Sequence, residues 1–178
     1  ETALRSTPNL NNWRPADLVE TAVAWKNAVS STKTPTCLIF SRQGTSPINR
    51  TSDQLNAIKM GGYLLKVNDS PDLTIIASGS ELQLALDASI ELKNDSINAN
   101  VVSMPSLDIF LEQSEEFQNT IIDSSKPVLV VECGHPNSWY KILNRSDKVI
   151  GIESFGESAP GNVLLKHFGF TLENVVGT

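Results

Sequence analysis

The chain has 178 residues, of which 40% are hydrophobic and 19% charged, an ordinary globular composition that excludes disorder, collagen and coiled coil. A formal net charge of −6 leaves no lysine or arginine surplus to neutralise a phosphate backbone, and no apolar run approaches the length of a membrane span, so neither nucleic acid nor membrane is an expected partner. The length suits one domain, or one domain plus a piece of another, and the absence of a basic or apolar leader at Glu1 points to a cytoplasmic protein.

Charge is unevenly spread. Residues 1–60 carry seven Lys/Arg against four Asp/Glu, whereas residues 61–178 carry seven against sixteen, which suggests two physical units with a seam near Gly61. Cys37 and Cys133 lack CxxC spacing and read as buried small hydrophobes.

In chain order, Glu1 to Asn12 is polar and reads as an irregular loop entering from another element. From Pro15 the pattern becomes helical, with Asp17 and Glu20 near the start and a stripe of Leu18, Ala22, Trp25 and Val29 that is expected to pack on a neighbour. Thr36–Phe40 is a continuous apolar run of strand length, expected as a buried parallel strand with no sheet partner in the first unit. After a loop at residues 44–49, Thr51 and Gln54 form a capping-box signature before a short helix ending at Gly61-Gly62.

Beyond Gly61, strands and helices alternate. Strands are predicted at residues 63–67, 73–77, 99–104, 128–131 and 149–152. Helices are predicted at 81–93, in pieces between 107 and 123, around 138–143, and finally at 161–168, with Ser80 and Gln83 as a second capping box. The predicted fold is therefore a three-layer α/β/α domain with a mostly parallel sheet, preceded by a helix-strand remnant of another α/β domain.

In such sheets ligands bind beyond the carboxyl ends of the strands, so four loops are candidates for chemistry. Ser41-Arg42-Gln43 sets a guanidinium at the rim, suited to a phosphate or carboxylate, the alternative being a surface ion pair. Ser78-Gly79-Ser80-Glu81 is a strand-to-helix turn with free backbone N–H groups, but Ser80 is already explained as a helix cap and Glu81 repels anions. Glu132-Cys133-Gly134-His135 brings an acid, a thiol and an imidazole together, although neighbours along a turn rarely face one another. In residues 153–161, Glu153 and Glu157 flank Phe155, which can plug an apolar hole, and His167 suits the end of the last helix. No complete catalytic set emerges.

Read together, Trp13-Arg14-Pro15-Ala16-Asp17, Phe40-Ser41-Arg42-Gln43, Gly61-Gly62-Tyr63, Ala77 through Glu81, Val102 through Ser106, Phe155 through Pro160 and Phe168 through Thr171 resemble the C-terminal part of the transketolase family. The resemblance spans essentially the whole chain. It implies that residues 1–60 are the end of a pyrimidine-binding domain with its connector and that residues 61–178 are the family's C-terminal domain, in which one edge strand is antiparallel. It further implies an intact homodimeric enzyme of pentose phosphate metabolism that moves a two-carbon ketol unit between phosphorylated sugars, with thiamine diphosphate and a divalent cation, Mg or Ca. By the same resemblance Arg42 binds the substrate phosphate. No catalytic, cofactor or metal ligand carries over, so these residues alone are expected to be inactive. The alternative is a regulatory ligand-binding or interaction module of a related thiamine enzyme, using Ser80, Glu132 and His135 at the strand-end rim.

Overall fold

A computed structural model describes residues 2–178; Glu1, the first residue of the expected entering loop, lies outside them. The rest of that segment is more ordered than its polar sequence suggests. Thr2–Arg5 is a short helix (α1) and Asn11–Trp13 a strand (β1). β1 pairs in parallel with β2 (Thr36–Leu38), in register from Asn11 opposite Thr36 to Trp13 opposite Leu38. The apolar run thus has the sheet partner that its neighbourhood in sequence did not reveal, and β2 is half-buried rather than enclosed.

Between them runs α2 (Leu18–Ser30), started by Asp17, whose side chain accepts from the Glu20 N–H. Its predicted stripe does not pack inward. Leu18, Trp25 and Val29 are 82%, 52% and 78% exposed, while Glu20 and Ala24 are buried. Trp25 stacks on the equally exposed Phe40 with ring centroids 6.3 Å apart. The inward face is chosen by the Glu20 carboxylate, which takes hydrogen bonds from the opposite unit, and not by apolar periodicity.

α3 (Ser52–Ala57) carries both bonds of the Thr51/Gln54 capping box. The helix tightens into a 3-10 turn at Ile58–Met60 and stops at Gly61, whose φ of 87° is left-handed and where a Cβ would stand 2.4 Å from the Ser106 carbonyl oxygen.

The remaining chain builds a five-stranded sheet from β3 (Tyr63–Lys66), β4 (Leu73–Ala77), β5 (Ala99–Ser103), β6 (Val128–Val131) and β7 (Lys148–Ile150). Its order is β3-β5-β4-β6-β7, parallel throughout except for the β3–β5 edge. Alternate residues feed two cores. Ile75, Ala77, Val101, Leu129 and Val131 pack with α4 (Leu82–Glu91) and α8 (Leu172–Gly177) on one face. Ile76, Val102, Val128 and Val130 pack on the other with α5 (Leu107–Leu111), α6 (Glu115–Ile121) and Trp139.

α7 (Gly161–His167) matches its expectation, and α8, capped by the Thr171 side chain, is a separate helix beyond the predicted elements. Around Trp139 the chain forms a 3-10 turn at Pro136–Lys141 rather than an α-helix. The Ser80/Gln83 capping box does not form. Ser80 donates its hydroxyl proton to Glu81 Oε1 at 2.8 Å, and Gly79–Glu81 is a 3-10 turn running into α4.

Candidate functional site

β4 is flanked by β5 on one side and β6 on the other, with α4 following on one face and α5 and α6 on the opposite face. The gap beyond the carboxyl ends of β4 and β6 is therefore the switch point at which open α/β sheets bind ligands. A cleft of about 600 Å³ opens there. Its polar wall is the loop after β2, with Arg42 and Gln43. Its floor is Leu82, Cys133 and Ile152, and α7 closes it with Leu164 and Leu165. Each of the four loops singled out in the sequence contributes to this one cleft: Arg42, then Gly79-Ser80-Glu81, then Cys133, then Gly156, Glu157 and Gly161.

The arginines around the cleft differ sharply. Arg42 is exposed and, among the described residues, has no hydrogen bond or ion pair. Arg14 reaches across Gly79, donates to the Ser78 carbonyl at 2.8 Å and the Ser78 hydroxyl at 3.0 Å, and pairs with buried Glu81. Gly79 has φ of 57°, and a Cβ there would meet the Arg14 guanidinium carbon at 2.9 Å, so glycine serves both the turn and the arginine lying on it. Backbone bonds from Arg14 N–H to the Pro105 carbonyl and from Gly79 N–H to the Arg14 carbonyl tie β1 to the main sheet.

Beneath this layer Arg5 grips Glu132 with two bonds of 2.6 and 3.0 Å, and the Ser78 hydroxyl donates to the same carboxylate at 2.7 Å. Arg5 also lies 5.1 Å above the Trp139 ring. Burial by itself would raise the Glu132 pKa, but the charge and hydrogen bonds of Arg5, the charge of Arg14 and the Ser78 hydroxyl hold it below the usual carboxylate range. Glu132 is 1% exposed and structural. It does not line the cleft, and neither does His135, whose Nδ1 accepts from the Asn137 N–H and whose carbonyl accepts from Thr2. The sequence-based trio of Ser80, Glu132 and His135 is thus not assembled on one ligand-facing surface.

Cys133 does reach the cleft, half-buried rather than enclosed; burial and then the Glu81 carboxylate push its thiol pKa well up, away from thiolate chemistry. Cys37 is likewise only half-buried. Phe155 plugs no hole, since it is 97% exposed at the tip of its loop. Of the two glutamates beside it, only Glu157 borders the cleft, and it stands 3.8 Å from His167.

A second buried ionic cluster joins residues 16–50 to the sheet. Arg50 donates to Asp17 at 2.6 Å, to Glu20 at 3.3 Å and to the Tyr63 hydroxyl at 2.6 Å. Tyr63 and Ser103 donate to Glu20 Oε1 at 2.7 and 2.6 Å, and the Ala16 N–H donates to its other oxygen at 2.7 Å. Burial would lower the Arg50 pKa, yet the bonds to Asp17 and Tyr63 and the charge of Glu20 raise it further; burial, then the Glu20 charge, raises that of Tyr63. Sequence reasoning missed this cluster, because its side-chain partners lie 13 to 83 residues apart.

Residues 61–171 match the family model described as the transketolase-like C-terminal domain. The chain belongs to the transketolase family and corresponds to its C-terminal portion. It is 45% identical over 178 residues to a transketolase of Vibrio parahaemolyticus, covering 99% of this chain and 27% of that one. The transketolase of Leishmania mexicana superposes with a TM-score of 0.91 at 39% identity, and a Pichia stipitis transketolase in complex with sedoheptulose-7-phosphate does so with 0.91 at 38%; each match covers 99% of this chain and 25% of the other. The chain thus spans about 27% of the length of the curated relatives it matches. Among the described residues no helix is long and apolar enough to cross a membrane.

Proposed function

We propose that the intact protein is a cytoplasmic homodimeric transketolase of pentose phosphate metabolism, transferring a two-carbon ketol unit from a ketose phosphate to an aldose phosphate. Residues 1–60 are the end of its pyrimidine-binding domain with the connector, and residues 61–178 are its C-terminal domain. In this reading the chain supplies scaffold, dimer contacts and one substrate ligand, Arg42. The exposed face of α2 with Phe40 supports the division, because an apolar stripe of this kind is what a helix shows when the rest of its own domain covers it.

The observation that carries the phosphate assignment is the contrast around the cleft: Arg5, Arg14 and Arg50 are engaged by carboxylates, whereas Arg42 stands at the rim with its fork uncommitted among the described residues. A planar guanidinium so placed suits a phosphate in bidentate geometry. The relative solved with sedoheptulose-7-phosphate supports that ligand class.

The family resemblance gives the intact enzyme thiamine diphosphate and a divalent cation, Mg or Ca, and none of the family's ligands for either carries over onto these residues. We assign both to the remainder of the intact protein, and with them the chemical steps, which leaves this chain inactive alone. The test is Arg42→Ala in the full-length enzyme: a raised KM for phosphorylated sugars with unchanged thiamine diphosphate binding supports the assignment, and unchanged kinetics removes it.

A further inference from the structure

An uncommitted arginine on a loop is a poor phosphate ligand unless the loop is held, because each ligand-binding event must otherwise order the backbone as well as the side chain. Arg42 makes no contact that would hold it. Its two neighbours do. The Gln43 N–H donates to Ser41 Oγ at 3.1 Å, and the Ser41 hydroxyl turns its own proton towards Gln43 Oε1 at 3.0 Å, with the Gln43 carbonyl at 3.3 Å. The clasp closes the chain over a single residue, so Arg42 sits at its apex and its side chain is left outside.

The far side of the Gln43 amide is backed by the start of α7. Gly161 faces it, and a Cβ at that position would stand 2.5 Å from Gln43 Nε2 and 3.4 Å from its Cδ. A segment some 120 residues downstream therefore forms the wall against which the clasp rests. Neither Ser41 nor Gln43 pairs with a carboxylate, caps a helix or enters a core cluster.

We propose that Ser41 and Gln43 are positioning residues for Arg42, holding its guanidinium at the cleft rim for a sugar phosphate. The inference rests on the phosphate reading of Arg42. Both residues act through the arginine and bear no proton or charge in the reaction.

The experiment is steady-state kinetics of the full-length enzyme with a phosphorylated ketose donor and an unphosphorylated hydroxyketone donor. Ser41→Ala and Gln43→Ala should each raise KM for the phosphorylated donor by about threefold to tenfold, with kcat unchanged and with KM for the unphosphorylated donor unmoved. Ser41→Thr, which keeps the hydroxyl, should restore most of the affinity. Because the clasp works only through the arginine, Gln43→Ala should add nothing in an Arg42→Ala background. Equal losses on both donors, or effects that multiply with Arg42→Ala, overturn the proposal. If Arg42→Ala raises KM and the clasp variants do not, the positioning role alone falls. If Arg42→Ala itself changes nothing, the phosphate reading falls and the positioning role with it.

Discussion

The buried strand-end clusters and the loop at the cleft rim are built from the same residue types and put them to opposite uses. In the clusters, Arg5 and Arg50 have side chains no more than 4% exposed, paired with carboxylates that are equally enclosed. At the rim Arg42 is exposed and has no partner among the described residues. A buried charge cannot be left unpaired without a large desolvation cost, so the cluster arginines are committed to the fold. The rim arginine is free of that constraint, so burial, and neither charge nor residue type, distinguishes the two regions.

Breaking the clusters should have the largest consequence. Arg50→Met leaves Asp17 and Glu20 enclosed without their cation and should lower stability by about 3–5 kcal/mol, whereas Arg42→Ala should stay within about 0.5 kcal/mol by chemical denaturation. If both variants unfold alike, burial does not distinguish the two regions. Next comes the rim itself. Arg42→Ala in the full-length enzyme should raise KM for phosphorylated sugars about tenfold, corresponding to roughly 1.4 kcal/mol, and leave thiamine diphosphate affinity intact.

Acid sharpens the contrast in a different way. The Glu132 pKa is lowered in the folded state, so its contribution is present above the unfolded carboxylate value of about 4.3 and is lost as pH falls through the folded value. Thermal unfolding between pH 6 and pH 3 should therefore show a steep acid limb that Glu132→Gln flattens. A smaller effect, about 1 kcal/mol, is expected for Thr51→Ala, which removes the N-cap of α3. The smallest concerns Cys133. With its thiol held protonated, alkylation near pH 8 should run about tenfold slower than for an exposed thiol, as read by mass spectrometry, although the residue borders the cleft.

Two similar signatures show how far local sequence reaches. Thr51-Ser52-Asp53-Gln54 and Ser80-Glu81-Leu82-Gln83 both read as capping boxes, and only the first forms. At the second, Arg14 lies on Gly79 and pairs with Glu81, and the Ser80 hydroxyl is turned to that same carboxylate. A bond to the adjacent carboxylate, itself paired with an arginine 67 residues away, thus takes the place of the cap. The same reason explains the inverted face of α2, whose apolar stripe signals a buried surface while Glu20 finds three side-chain partners and a backbone donor on the opposite side. β1 was hidden for a simpler cause: three residues, two of them asparagine, carry no periodicity to read.

The sequence by itself determined the α/β class, the runs that become β4, β5 and β6, the antiparallel edge through its family resemblance, and Arg42 as a strand-end candidate, because apolar periodicity and position after a strand are properties of adjacent residues. Only the tertiary structure decided that four separate loops line one cleft, that Glu132 lies under it bound to Arg5, and that Arg42 alone among the four arginines compared is left uncommitted among the described residues. Those outcomes depend on which charges meet across 30 to 127 residues and become buried together, and desolvation acts on the assembled pair, not on either residue read alone.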